Sequence, residues 1–180
     1  LLSANIAKTG IGSSDPTMDY VSLLGRFNSY KKLGSRFDIG TEMVGYSELS
    51  NQNHYFNKMG LGYKEYISGF EYYVVDGNKY GMAKNRLLYE LVPTTVKHLR
   101  FISASKFSKI HYAVYLRAFY DAGYVWNQTP LATNKLANKY LYGYGTGVDI
   151  VTYYDKAFSF YYAFNSIGQS GFFFNLNLKI

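Results

Sequence analysis

The closing stretch Gly171-Phe172-Phe173-Phe174-Asn175-Leu176-Asn177-Leu178-Lys179-Ile180 sets the reading of the whole chain. Its even positions, Phe172, Phe174, Leu176, Leu178 and Ile180, are apolar, and its odd positions include Asn175, Asn177 and Lys179, with Phe173 the exception. Successive side chains of a strand point to opposite faces, so this is a strand with one greasy and one polar face. The same rule holds upstream. Phe158, Phe160, Tyr162 and Phe164 alternate with Ala157, Ser159, Tyr161 and Ala163, and Asn165 to Ser170 is a short, turn-like link. From Tyr140 to Tyr154 the even face carries Tyr140, Tyr142, Tyr144, Val148, Ile150 and Tyr154, against Gly143, Gly145, Gly147 and Asp149 on the odd face. A row of glycines leaves a smooth, narrow face of the kind another segment packs against closely. Tyr154-Asp155-Lys156 then closes a tight turn.

Further upstream, His111 to Trp126 places Tyr112, Val114, Leu116, Tyr120, Tyr124 and Trp126 on one face and Arg117, Asp121 and Gly123 on the other. In Tyr80 to Val92, Ala83, Leu87, Tyr89 and Leu91 oppose Lys84, Arg86 and Glu90. Pro93 to Lys109 reads as a linker between these two strands. Strands are also expected over Asp19 to Ser29, Arg36 to Tyr46 and Asn53 to Tyr66, with a short one before Gly10. The expectation is an all-β chain of about eight antiparallel strands, with no helical period anywhere.

Composition narrows the class. Twenty-one Tyr, thirteen Phe and seventeen Gly against one Trp and three Pro favour strands and tight turns. The mean hydropathy is slightly negative, and no apolar run approaches the roughly 18 residues a membrane helix needs. Alternation reconciles such a mild average with a membrane location, because a barrel strand shows lipid only every second residue. A soluble antiparallel sandwich or barrel satisfies the same pattern. Two features favour the membrane: several predicted strands reach the length of a tilted spanning strand, and aromatics gather at strand ends (Tyr140, Tyr142, Tyr153, Tyr154, Tyr124, Trp126) as an interfacial girdle does. The net charge of +7 is scattered, and Lys31-Lys32 reads as a solvated loop, so nucleic acid is not an expected partner. The absence of cysteine excludes a disulfide framework and thiolate metal sites.

Three stretches carry a resemblance: Tyr66-Ile67-Ser68-Gly69-Phe70-Glu71-Tyr72-Tyr73, Leu88-Tyr89-Glu90-Leu91-Val92-Pro93 and Leu116-Arg117-Ala118-Phe119-Tyr120-Asp121-Ala122-Gly123-Tyr124-Val125-Trp126. Together with Gly145-Thr146-Gly147-Val148-Asp149-Ile150 and the terminal Gly171-Phe172-Phe173, they resemble the carboxy-terminal barrel of the BamA/TamA family, the bacterial surface antigen family. The resemblance runs in order from about Tyr63 to Ile180, with Phe119 to Trp126 its most specific part, while residues 1–62 fit only the general pattern.

That resemblance implies an outer-membrane β-barrel of roughly sixteen strands in a Gram-negative bacterium. This chain would be the carboxy-terminal half of the single barrel domain, residues 1–180, with upstream strands and periplasmic POTRA modules lying outside it. The start at Leu1, without an initiator methionine or signal peptide, points the same way. The implied function is folding and insertion of other β-barrel proteins, or polypeptide translocation. It would proceed by strand templating at a weakly paired lateral seam, without nucleotide, cofactor or covalent catalysis. The seam strand would carry Phe172, Phe174, Leu176, Leu178 and Ile180. Ile180 departs from the aromatic ending common in such strands. The implied partners are outer-membrane lipid, unfolded outer-membrane protein clients and accessory assembly lipoproteins.

The family's sixth extracellular loop folds back into the lumen and carries a Val-Arg-Gly-Phe/Tyr motif whose arginine pairs with acidic residues of the inner wall. Here the motif lands on Ile67, Ser68, Gly69 and Phe70, and the acidic partners on Glu90 and Asp121. Ser68 stands where the family has arginine. Arg86 and Arg117 each precede an acid by four residues on the same strand face, so either is a candidate to supply the missing charge, with Ser68 keeping only a hydrogen bond.

Other residues read blandly. His54, His98 and His111 lack metal-ligand spacing. Asp76-Gly77-Asn78 is a loop turn, and Gly143, Gly145 and Gly147 precede no helix that could make a phosphate loop. The rival functions are a passive outer-membrane channel and a stand-alone eight-stranded barrel acting as an adhesin or structural protein. A channel would leave the lumen open, and a stand-alone barrel would pair the strand near Leu1 to Ala7 with Gly171 to Ile180.

Overall fold

The computed structural model describes residues 1–9, 20–49, 60–98, 109–130, 132–152 and 157–177. They form one antiparallel sheet of eight strands in simple sequence order: β1 (Leu2–Thr9), β2 (Tyr20–Lys32), β3 (Phe37–Leu49), β4 (Lys79–His98), β5 (Lys109–Trp126), β6 (Tyr140–Val151), β7 (Ala157–Asn165) and β8 (Ser170–Asn177). Each strand pairs with its neighbours in the chain, and β1 and β8 are the two edges. Leu178 and Ile180, part of the expected closing strand, lie outside the described residues, as do Tyr153 and the Tyr154-Asp155-Lys156 turn.

Period-two alternation holds along the sheet and sorts it into two unlike faces. On one face the odd residues of β5, β6 and β7 are buried or half-buried together with the even residues of β3 and β4. The other face is apolar and open. Every strand contributes to it, with Leu2 and Ile6 (β1), Leu23 and Phe27 (β2), Ile39 and Met43 (β3), Leu87 and Leu91 (β4), Leu116 (β5), Tyr144 (β6), Phe160 and Phe164 (β7), and Phe172, Phe174 and Leu176 (β8) all exposed. Aromatic partners across the ladder reinforce it, as in Phe160 against Phe174 at 4.9 Å, Tyr162 against Phe172 at 4.6 Å and Tyr144 against Phe164 at 5.4 Å between ring centroids. Such cross-strand pairs are worth roughly 0.2–1 kcal/mol each.

Three expectations need correction. Gly60 to Tyr66 is not a strand, while Asn53 to Met59 lies outside the described residues. Its apolar alternation imitates one, but Gly62 sits at φ +102°, and a Cβ at Gly60 would lie 1.7 Å from the Val75 carbonyl oxygen. The backbone here folds back on itself and makes only the isolated bridge Leu61–Val75. The Pro93 linker is also shorter than expected. β4 continues through Pro93 to His98, because register shifts between Glu90 and Val92 and between Val92 and Thr95 absorb a residue that cannot donate to the ladder. Lys31-Lys32 is the exposed end of β2 rather than a loop. The Asn165–Ser170 link is the tight turn expected, with Gly168 at φ +81° and Gly168 N donating to Asn165 O at 3.1 Å.

Candidate functional site: a segment latched across one face of the sheet

Between β3 and β4, residues 60–78 lie against the polar face. Leu61, Ile67, Phe70 and Val75 from this segment pack with Val44, Tyr46, Tyr80, Met82, Val125 and Leu141 from β3 to β6 in one buried cluster. Ile67 and Phe70 are 1% and 3% exposed, so the segment is docked as a core element and not draped over a surface. Burying each large apolar side chain contributes about 1.5–3 kcal/mol as an upper bound. The base of the segment is closed by reciprocal bonds, Leu61 N to Val75 O at 3.0 Å and Val75 N to Leu61 O at 2.8 Å.

The tetrapeptide Ile67-Ser68-Gly69-Phe70 is a β-turn, with Phe70 N donating to Ile67 O at 2.9 Å and Gly69 at φ +90° in its third position. A positive φ there is what a type II turn demands, and glycine supplies it without strain. The turn presents Ser68 to Asp121 on β5. Ser68 Oγ donates to Asp121 Oδ2 at 2.6 Å and Ser68 N to the same oxygen at 3.2 Å. Asp121 is 1% exposed. The Ser68 carbonyl rests on Gly143, where an added Cβ would come within 1.7 Å of it. The glycine row of β6 is thus the floor of the turn at Gly143, while Gly145 and Gly147 give way to Tyr161, Phe119 and the β7 backbone.

Two residues that sequence reasoning left without a role complete the latch. Glu71 accepts from Gly69 N at 2.8 Å and from the Tyr161 hydroxyl at 2.5 Å. Asn165, at the end of β7, donates from Nδ2 to Gly69 O at 2.8 Å. Nearer the start of the segment, Arg26 on β2 pairs with Glu42 at 2.8 Å and also with Glu65. Tyr66 bonds Asn175 on β8 and lies under Lys84 Nζ, 4.4 Å from the ring centroid. The exit is clamped by Asn127 and Asn134, whose side-chain amides donate to Asp76 O at 3.0 and 2.8 Å. Asp76-Gly77-Asn78 is a packed turn, as expected, with Gly77 against Val125 and Trp126.

The expected charge compensation is not the one observed. Among the described residues neither Arg86 nor Arg117 pairs with Glu90 or Asp121. Arg117 is drawn to Asp149 of β6 at 3.4 Å and lies over the rings of Phe119 and Tyr161 at 5.3 and 4.9 Å. The register explains this. Arg117 faces Gly147, so Asp149, two residues further along the same face of β6, is its diagonal neighbour, whereas Asp121 lies four residues along its own strand. Glu90 lies on the same face of β4 as Lys84, six residues further along the strand, and among the described residues no hydrogen bond or ion pair joins it to the 60–78 segment. Asp121 alone of the two expected acids touches the turn.

Burial pushes the Glu71 carboxyl above the usual carboxylate range, with the Asp121 charge adding in the same direction and the bonds from Tyr161 and Gly69 opposing. A raised folded-state pKa means the docked segment binds the proton more tightly than the unfolded chain. Glu71 therefore penalises docking as pH rises through that pKa, and the penalty fades as pH falls toward the ordinary value. The chain should gain guanidinium resistance relative to Glu71→Gln between pH 7 and pH 5. A difference that is independent of pH, or that changes in the opposite sense, would contradict this account.

Comparison with family models, with curated proteins and with solved structures gives no match.

Proposed function

We propose that the chain is the carboxy-terminal portion of a BamA/TamA-type outer-membrane barrel that assists folding and insertion of other β-barrel proteins, or polypeptide translocation, by strand templating at a lateral seam. The observation that carries this reading is the 60–78 segment, seated across the polar face with Ser68 on Asp121. An occupied interior suits a barrel that works at its wall better than a passive channel.

Two further observations support it. Among the described residues β1 and β8 are hydrogen-bonded only to β2 and β7, which fits part of a larger ring better than a closed eight-stranded barrel. Phe172 at 83%, Phe174 at 58% and Phe160 at 51% exposure lie on a face that spans the whole sheet. A soluble protein rarely presents apolar area of that extent, and lipid is its natural cover. The unpaired edge of β8 would then template an incoming client strand by backbone hydrogen bonding.

The chain lacks cysteine, so single cysteines report cleanly. Reconstituted in vesicles, the protein should speed the heat-modifiable folding of a urea-unfolded barrel client several-fold over empty vesicles. Phe174→Cys on β8 should cross-link to single-cysteine clients during folding, while a cysteine at Leu116, mid-sheet, should not. Vesicle leakage with no effect on client folding would favour the passive channel and refute the assembly reading.

A further inference from the structure

On the polar face of the sheet, lined by residues of β2 to β8 and bordered by Lys64 to Ser68 of the segment, lies a cavity of about 650 Å³. Its wall carries five cations, Arg26, Lys64, Lys84, Arg86 and Arg117, against three carboxylates, Glu42, Glu65 and Asp149, a surplus of two positive charges. Glu42 and Glu65 both pair with Arg26, and Asp149 with Arg117. That leaves Lys84, Arg86 and Lys64 facing the same space with no carboxylate within ion-pair distance among the described residues. Lys84 is the telling one. It is 6% exposed, and its ammonium meets the Tyr66 ring but no hydrogen-bond acceptor among the described residues. Asp121 stands opposite it in the β4–β5 register, with Oδ2 given to Ser68 and Oδ1 without a hydrogen-bond partner among the described residues, yet no ion pair forms between them. The Lys84 ammonium, with three donors and no acceptor among the described residues, opens to the cavity, and an anion there would satisfy those donors.

We propose that this cavity is a binding site for a phosphate group, held between Lys84 and Arg86 with Lys64 above. Lys84 and Arg86 are two positions apart on one face of β4, so their Cα atoms are roughly 7 Å apart. Two charge-assisted bonds of about 2.8 Å, with an oxygen–oxygen edge between them, span a comparable distance. A lone carboxylate has two oxygens for these donors, whereas phosphate has a third for Lys64. The cavity volume lies within the range of small-ligand sites and leaves room for whatever the phosphate is attached to. The phosphate could be free or belong to a lipid headgroup, since the donors read the same oxygens in both. The site stands apart from the assembly reading, because client folding can fail while phosphate still binds.

The test uses the full chain in non-ionic, phosphate-free detergent at constant ionic strength. Inorganic phosphate and, separately, a diacyl phosphoglycerol lipid are titrated with binding followed by calorimetry. Saturable binding of one phosphate per chain is expected, weakened about tenfold or more in Arg86→Gln and in Lys84→Met. Arg86→Gln guards against misfolding, because Arg86 makes no hydrogen bond or ion pair among the described residues whose loss would unfold the chain. Binding of the lipid alone, with the same dependence on Lys84 and Arg86, assigns the phosphate to a headgroup. Binding of inorganic phosphate assigns it to the free ion. No saturable binding of either, or binding that Arg86→Gln leaves unchanged, overturns the proposal.

Discussion

Gly143→Ala is expected to release the 60–78 segment from the sheet while leaving β6 paired. The new Cβ would stand 1.7 Å from the Ser68 carbonyl oxygen and 3.0 Å from its carbon. Both are backbone atoms held by the turn, so no side-chain rotation relieves the contact. Ser68 must move, and its two bonds to Asp121 and the Asn165–Gly69 bond move with it. Ile67 and Phe70 then lose contact with Val125 and Leu141. Overpacking costs typically 1–3 kcal/mol, and the loss of docking places this substitution at about 3 kcal/mol or more. The control is Gly45→Ala on β3, where nothing lies within 4 Å of the added carbon. That change should stay within about 0.5 kcal/mol. Chymotryptic cleavage after Phe70 reads the release directly: fast in Gly143→Ala, slow in the parent and in Gly45→Ala. If Gly143→Ala leaves cleavage slow, the glycine floor is not what seats the turn.

Gly143 also shows how far the sequence can be read. The strands were legible because a period of two is local: each apolar residue announces its face without knowledge of any partner. The glycine row on β6 was legible for the same reason, since three small residues on one face leave space that something must fill. What filled it was harder to see. The bond from Tyr161 to Glu71 joins residues 90 positions apart, and the bond from Asn165 to Gly69 joins residues 96 apart. No local pattern encodes such a pairing. Arg117 failed as a predicted partner of Asp121 for a related reason. Its spacing along β5 placed it on the right face, but its choice of Asp149 depends on the register of β6. Gly60 to Tyr66 reads as strand from the sequence because alternation cannot tell a sheet residue from a folded-back segment that buries the same side chains.

Asp121→Ala should be the most damaging single change on the inner face. Asp121 Oδ2 accepts both the hydroxyl and the amide of Ser68, and hydrogen bonds to a charged group contribute about 1.5–3 kcal/mol each. Its removal leaves the Ser68 amide without its acceptor at the centre of the latch. It also removes a carboxylate that faces Lys84 across the β4–β5 ladder without an ion pair, so the ammonium loses a nearby opposite charge but no bonded partner. Because no ion pair is broken, this second loss falls below the roughly 3–5 kcal/mol of a severed buried salt bridge. Ser68→Ala, by contrast, loses the hydroxyl bond and keeps the amide bond, so it should cost less than half as much. The two contributions separate in a double-mutant cycle. If the charge left at Lys84 dominates, Lys84→Met in the Asp121→Ala background should recover stability, with a coupling of roughly 1–3 kcal/mol. If the Ser68 bonds dominate, the two substitutions add without coupling, and Ser68→Ala alone approaches the cost of Asp121→Ala. Denaturant midpoints of the four variants, with cleavage after Phe70 as the local reporter, distinguish these cases. A neutral Asp121→Ala would mean that the apolar contacts of Ile67 and Phe70 alone hold the segment in place.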